Sequence, residues 1–180
     1  MRSVLFLVRM AAARWTSGAR AANFFLNAVN CARLAMRSSH LVGILWHQGE
    51  ADCDEALYPR YLEKLTALMD VLRRELGAEG VPIVVGGLGD FLKDCTKAPF
   101  LYNYIHVNEA LAEFARVTPR VAFTPATGLD SNPDKLHFNH ASLQEFGLRY
   151  YAAFKTVEDK ARVFDGEKTV ATSQNAMGAL

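Results

Sequence analysis

Hydrophobic positions along the chain fall alternately into short runs and into helical spacings. Leu41, Val42, Ile44, Leu45 and Trp46 form an apolar run of strand length. Such a run, ending in packed polar residues, reads as a buried parallel strand. Upstream, Ala21 to Ser38 reads as a helix with Phe25, Val29 and Leu34 roughly on one side. Downstream, Leu57, Tyr61, Leu65, Leu68, Leu72 and Leu76 recur at spacings of three or four, which predicts a second helix, and Gly77 is placed to stop it. Pro82 to Gly86 reads as a second buried strand, with Gly86, Gly87 and Gly89 suited to a tight loop at its end. A third helix is predicted from about Phe100 to Arg116, with Leu101, Tyr104, Leu111 and Phe114 inward, and Arg120 to Thr124 makes a third strand. After the polar loop Thr127 to Asn139, Ser142 and Glu145 match the S-x-x-E capping pattern. The helix they open carries Leu143, Phe146, Tyr150 and Phe154 on one face.

Residues 1–20 show neither helical nor strand periodicity, and beyond Val157 the chain turns polar and patternless. Between these ends, strands alternate with helices. That order predicts an α/β domain, a parallel sheet with helices on both faces. In such sheets ligands bind beyond the carboxyl ends of the strands. The densest polar clusters fall there: His47, Gln48 and Glu50 after the first predicted strand, Asp134 and His137 after the third.

Composition narrows the classes. At 180 residues, 51% hydrophobic and 22% charged, the chain fits one globular domain. A net charge of +1 gives no footprint for nucleic acid or an anionic membrane. No apolar run approaches a membrane span, and Arg9 interrupts the short apolar stretch at the N-terminus, against a secretory signal. Cys31, Cys53 and Cys95 form neither a C-x-x-C pair nor a disulfide framework, as in a reducing, cytoplasmic compartment.

A histidine beside a carboxylate is what acyl transfer needs. The imidazole takes a proton from a hydroxyl nucleophile, and the carboxylate fixes the tautomer. Gln48 could donate an amide N–H to a developing oxyanion. On its own, Asp134-x-x-His137 is short enough that a turn-shaping role is the simpler reading. Four polar or special residues directly after a strand, His47 to Glu50, are harder to explain without a use. His137 and His140 also make H-x-x-H, but no Cys, Glu or third His is spaced to complete a metal site. Gly86-Gly87-Leu88-Gly89 lacks the dinucleotide-binding spacing. No metal or cofactor is expected.

The stretch Gly43 to Glu50, followed by Asp52, resembles the HQGE block of the SGNH-hydrolase branch that holds sialate O-acetylesterases and acetylxylan esterases. Asp134-Lys135-Leu136-His137-Phe138, then Ser142, Gly147, Arg149 and Tyr150, is similar to that branch's closing D-x-x-H block. The segment around Pro82 to Leu92 and Asn108 to Leu111 also looks similar, and the likeness covers roughly Leu26 to Phe154. The resemblance implies a three-layer α/β/α sandwich (SGNH or flavodoxin-like) with a mostly parallel sheet. It also implies metal-free hydrolysis of O-acetyl groups on carbohydrates through a serine. His137 would be the general base and Glu50 or Asp134 its carboxylate partner. Gln48 and His47 would lie near the substrate or oxyanion. The implied partner is an acetylated carbohydrate, neither nucleic acid nor membrane.

The chain departs from that pattern upstream. The family's Gly-Gln-Ser-Asn nucleophile block and its Gly-Gly-Thr/Ser turn are not found, so the sheet is expected to lack its first strand block. The apolar run Val4 to Val8 is a candidate to fill part of that place. None of Ser3, Ser17, Ser38, Ser39, Ser131, Ser142 and Ser173 lies in a glycine-rich strand-to-helix turn. The expected organisation is an atypical segment 1–25, an esterase-type domain 26–156 and a polar tail 157–180. By lineage the chain reads as a carbohydrate O-acetylesterase with little activity as written. The alternatives are a non-catalytic carbohydrate-binding or interaction protein, or a gene fragment. Val8 to Phe24 can be encoded so that a second frame spells Ala-Asp-Gly-Gly-Ser-Ser-Leu-Asp-Glu-Trp, which is the expected second block. This predicts that Met1 to about Phe25 is read out of frame and that the gene starts upstream, with a secreted product then possible. The nucleotide sequence decides: codons for Arg9 to Trp15 that do not encode the Gly-Gly turn when shifted overturn it.

Overall fold

A computed structural model describes the backbone of residues 2–8 and 18–177, with the side chains of residues 23 and 25–158. The elements run β1 (Arg2–Val8), α1 (Gly18–Ala35), β2 (Ser39–Trp46), α2 (Tyr61–Leu76), β3 (Ile83–Gly86), α3 (Tyr104–Val117), β4 (Val121–Thr124) and α4 (His140–Met177). Single 3₁₀ turns cover Glu50–Cys53, Tyr58–Arg60, Asp90–Asp94 and Pro99–Asn103. The four strands form one parallel sheet in the order β1-β2-β3-β4. All four therefore end on the same rim, where the loops after β2, β3 and β4 meet.

Strand alternation divides the core into two layers. Ile44, Trp46, Ile83 and Val85 face one side and pack against α1, α2 and α3 through Val29, Leu65, Leu72 and Leu111. Val84 faces the other side, where Phe146, Tyr150, Phe154 and Val157 of α4 cover it with Leu45 and Ala122. This is the three-layer α/β/α arrangement. Both faces of β2 and β3 are buried, which is why their sequences read as continuous apolar runs rather than alternating ones.

The helix boundaries follow local chemistry. Gly77 sits at φ 58° as the C-cap of α2, a left-handed conformation that a Cβ would strain. At the start of α4 the structure corrects the sequence reading. The cap is Asn139, whose Oδ1 accepts the Ser142 backbone N–H at 2.9 Å. The Ser142 hydroxyl instead accepts the Asp130 N–H at 2.7 Å, and Glu145 pairs with Arg149. Leu143 and Leu34, read as sharing a helix face with residues that are buried, are exposed.

Two further differences concern the ends. Residues 1–20 carry no clean period, yet Arg2–Val8 forms β1 and pairs in parallel with β2, Val8 lying opposite Trp46. The apolar run thus takes the sheet position beside β2. The backbone of α4 continues as helix to Met177, beyond the polar residues at which a tail was expected, and α1 runs across the anticipated boundary at 25/26. Residues 9–17 lie outside the described residues.

Leu111 is fully buried between α3 and the sheet. Leu111→Ala should lower unfolding stability by about 2–5 kcal/mol, whereas Leu143→Ala, at an exposed position, should change it by no more than about 0.5 kcal/mol. Urea denaturation of both variants measures the contrast.

Candidate functional site

The loop after β2 is built from buried hydrogen bonds. Trp46 Nε1 donates to the Tyr61 hydroxyl at 3.3 Å, and that hydroxyl donates to the Gln48 carbonyl at 2.6 Å. From the opposite layer, the Tyr150 hydroxyl donates to the Trp46 carbonyl at 2.7 Å. Gly49 follows, so close to α3 that a Cβ there would stand 2.6 Å from Cγ1 of Val107. The chain then turns into the 3₁₀ turn that carries Glu50 and Asp52.

Gln48 was expected on the rim; the structure puts it inside, with 1% exposure. Its amide nitrogen donates to Asp52 Oδ2 at 2.9 Å. Asp52 is itself fully buried, and its Oδ1 has no hydrogen-bond partner among the described residues. Burial raises the Asp52 pKa, and the Gln48 hydrogen bond only partly opposes the shift. Strand periodicity ends at Trp46, so it could not say which way the next side chains turn.

His47 and Glu50 remain nearer the surface. The His47 ring is flanked edge-on by Phe138 at 5.7 Å and Phe146 at 5.5 Å between centroids. Its Nδ1 lies 3.4 Å from the Tyr150 hydroxyl and its Nε2 3.9 Å from Oε1 of Glu50. The other Glu50 oxygen accepts the Gly49 N–H at 3.1 Å. Cys53, beside them, is no nucleophile: burial, then the charges of Glu50 and Asp52, push its thiol up to about 12.

The loop after β4 holds the second cluster. Asp134 Oδ1 accepts the backbone N–H groups of Leu136 at 3.0 Å and His137 at 3.1 Å, while Oδ2 meets His137 Nδ1 at 2.7 Å. One carboxylate therefore shapes the turn and fixes the imidazole together. The His137 hydrogen bond first, then the two backbone donors, hold the Asp134 carboxyl far below the usual carboxylate range. Because Asp134 is ionised and only accepts, His137 Nδ1 carries the proton and Nε2 presents its lone pair. The His137 side chain is 60% exposed.

Thus the structure joins Asp134 to His137 and Glu50 to His47 and the Gly49 amide. It brings the two loops together through Phe138, which follows His137 in sequence and packs on His47, Phe91 and Phe146. Among the described residues no serine hydroxyl is hydrogen-bonded to His137. Ser39 donates to the Ala35 carbonyl, Ser142 accepts from Asp130, and the Ser131 hydroxyl is buried without a partner. His140 opens α4, and no group of three or more His, Cys, Asp or Glu is placed to hold a metal among the described residues. Sequence reasoning missed Asn108. Its side chain accepts the Leu88 N–H at 2.7 Å and donates to the Leu88 carbonyl at 3.0 Å, clamping the loop after β3.

A parallel sheet between helical layers, with histidine–carboxylate chemistry on its strand-end loops, defines an α/β protein of the SGNH-hydrolase kind. The chain belongs to the carbohydrate esterase family of sialic acid-specific acetylesterases, whose family model matches residues 8–156. Its fold is similar to the X-ray structure of a protein from Arabidopsis thaliana, with a TM-score of 0.62 at 18% sequence identity. That likeness covers 82% of this chain and 57% of the plant protein, so this chain spans little more than half of its length. No curated protein matches the sequence. No helix of the described residues is long and apolar enough to cross a membrane.

The depressed Asp134 carboxyl has a definite linkage sign. Its contribution to the folded state is present above the ordinary carboxylate value of 3.8 and is lost only as pH falls through the lower folded value. In an NMR titration, Asp134 should stay ionised below 3.8, and the His137 ring signals should report its protonation only at lower pH still. An Asp134 that titrates at or above 3.8 contradicts the geometry.

Proposed function

We propose that this chain carries the proton-handling arm of a site for O-acetyl esters on carbohydrates such as sialic acid or xylan. His137 is the general base and Asp134 its carboxylate partner. The observation that carries this reading is the 2.7 Å contact between Asp134 and His137 Nδ1, which aims the Nε2 lone pair away from the carboxylate. That is the orientation a base needs to take a proton from an attacking hydroxyl. Glu50 is the second carboxylate of the rim, and His47 lines it. Gln48, whose amide nitrogen donates to buried Asp52, braces the turn.

The same geometry limits the reaction. With no serine hydroxyl on His137 among the described residues, the base has no nucleophile to activate there. Most transition-state stabilisation in acyl transfer comes from the nucleophile and oxyanion donors acting together. We therefore assign this chain little or no turnover by itself. This favours a second reading, a non-catalytic protein that binds acetylated sugars at the retained rim.

Two measurements on the full chain separate these readings: p-nitrophenyl acetate hydrolysis, and calorimetric titration with an acetylated sugar. Under the first, residual hydrolysis is detectable and falls by roughly 10²-fold or more in His137→Ala. Sugar binding without hydrolysis supports the second. Neither binding nor hydrolysis overturns both.

A further inference from the structure

The loops after β2 and β3 meet against α3, where two consecutive residues hold them. Val107 is fully buried, and its Cγ1 lies 2.6 Å from where a Cβ on Gly49 would stand. Leu88 Cδ1 lies 3.4 Å from the same point, so Gly49 passes against one side chain of α3 and one of the β3 loop. Asn108, next in α3, fixes the backbone of that same Leu88. Its Oδ1 accepts the Leu88 N–H at 2.7 Å and its Nδ2 donates to the Leu88 carbonyl at 3.0 Å. One primary amide thus answers both backbone groups of a loop residue, as a residue of a neighbouring strand would. The preceding residue still bonds within the sheet, the Gly87 N–H donating to the Thr124 carbonyl at 2.9 Å.

From Leu88 the contacts lead to both halves of the rim. Toward β2, Leu88 forms part of the seat of Gly49, whose N–H donates to Glu50 Oε2 at 3.1 Å. Onward along the chain, Gly89 leads directly into the Asp90–Asp94 turn, its carbonyl accepting the Leu92 N–H at 3.1 Å. That turn carries Phe91, packed so closely that a Cβ on Gly89 would stand 2.2 Å from its ring. Phe91 meets Phe138 edge-on at 4.9 Å between centroids, and Phe138 follows His137. Edge-on aromatic pairs have a preferred mutual geometry, so a displaced Phe91 carries Phe138 with it.

We infer that Asn108 is a positioning residue that holds the two clusters of the rim in register: Glu50 through Leu88 and Gly49, and His137 through Leu88, Phe91 and Phe138. Its hydrogen bonds go to the Leu88 backbone, so its effect reaches the site through the loop after β3. The role concerns the shape of the rim and holds whether the site hydrolyses esters or only binds them.

NMR spectra of the full chain test it, with Leu111→Ala as the comparison, a destabilised variant on the same helix but not on this path of contacts. In Asn108→Ala the Gly49 amide proton should move upfield as its bond to Glu50 loosens, and the ring-to-ring cross-peaks between Phe91 and Phe138 should be lost. Leu111→Ala should keep both signals. Asn108→Asp adds a pH readout that a general loosening of the fold would not produce. Its carboxylate accepts the Leu88 N–H but has no proton to donate to the carbonyl, whereas its protonated form does both. The Phe91–Phe138 cross-peaks should therefore weaken at neutral pH and recover as the introduced carboxyl gains its proton, while the wild type keeps them throughout. An Asn108→Ala protein that keeps either signal overturns the inference, as does a Leu111→Ala protein that loses either. Should an alanine variant not fold, Asn108→Asp decides: recovery on acidification supports the inference, and cross-peaks unchanged at neutral pH, or absent at every pH where the protein is folded, overturn it.

Discussion

The turn that ends β2 is held by two buried phenols reaching it from opposite layers of the sandwich. Tyr61 comes from α2 and donates to the Gln48 carbonyl; Tyr150 comes from α4 and donates to the Trp46 carbonyl. These carbonyls flank His47, the first residue after β2. A buried carbonyl left unpaired costs about 1–3 kcal/mol, and each phenol supplies such a carbonyl with a donor where the strand ends. The site residues inherit their positions from this clamp. His47 is held between the two gripped carbonyls, and Gln48 is directed inward to Asp52. Gly49 passes against Val107, and Glu50 is delivered to the rim.

Much of this architecture is legible in the sequence. The apolar runs at Leu41 to Trp46 and Ile83 to Val85 are continuous because both faces are covered, and the helical spacing from Tyr61 to Leu76 ends at a glycine in the left-handed region. Asp134 and His137 stand out as one cluster, but their spacing alone leaves a turn-shaping role open and leaves Glu50 as an alternative partner; the folded turn joins the two side chains. The misses have a common cause. Tyr150 reads as one more residue on an apolar helix face, and nothing in a 3.6-residue period reveals a hydroxyl aimed at a carbonyl over a hundred positions away. Asn108 is likewise ordinary until the fold lays it against Leu88. At Ser142 a local pattern was satisfied by another neighbour: Asn139 caps the helix, and Ser142 serves the loop before it. β1 was legible only as the candidate apolar run Val4 to Val8, because a single short run among unpatterned residues has no period to mark it as a strand.

The two carboxylates of the rim differ in what their surroundings ask of them. Asp134 accepts three hydrogen bonds within its own turn, and all of them favour its charge. Glu50 gives one oxygen to the Gly49 amide and turns the other toward His47 across a longer gap. Asp52, two residues on, is buried and disfavoured as an anion, so its part is to receive Gln48. Three acids close in the sequence of motifs thus divide into an ionised turn-former, a rim acceptor and a buried brace. The division follows from burial and donor count, not from residue type.

The histidines show the same logic from the other side. His137 is exposed and has its Nδ1 proton fixed by an anion within its own turn. His47 is half-buried, and its Nδ1 lies 3.4 Å from a neutral phenol of another layer. The two are not interchangeable. An imidazole backed by a carboxylate is stabilised when it takes a second proton, because the positive charge it gains lies against a negative one. An imidazole beside a neutral phenol has no such support from it, and Glu50 faces the His47 ring from 3.9 Å across the rim. Of the two rings, His137 has the surroundings that better support a second proton. The phenol beside His47 is also the one that anchors the Trp46 carbonyl, so this ring and the end of β2 share one neighbour.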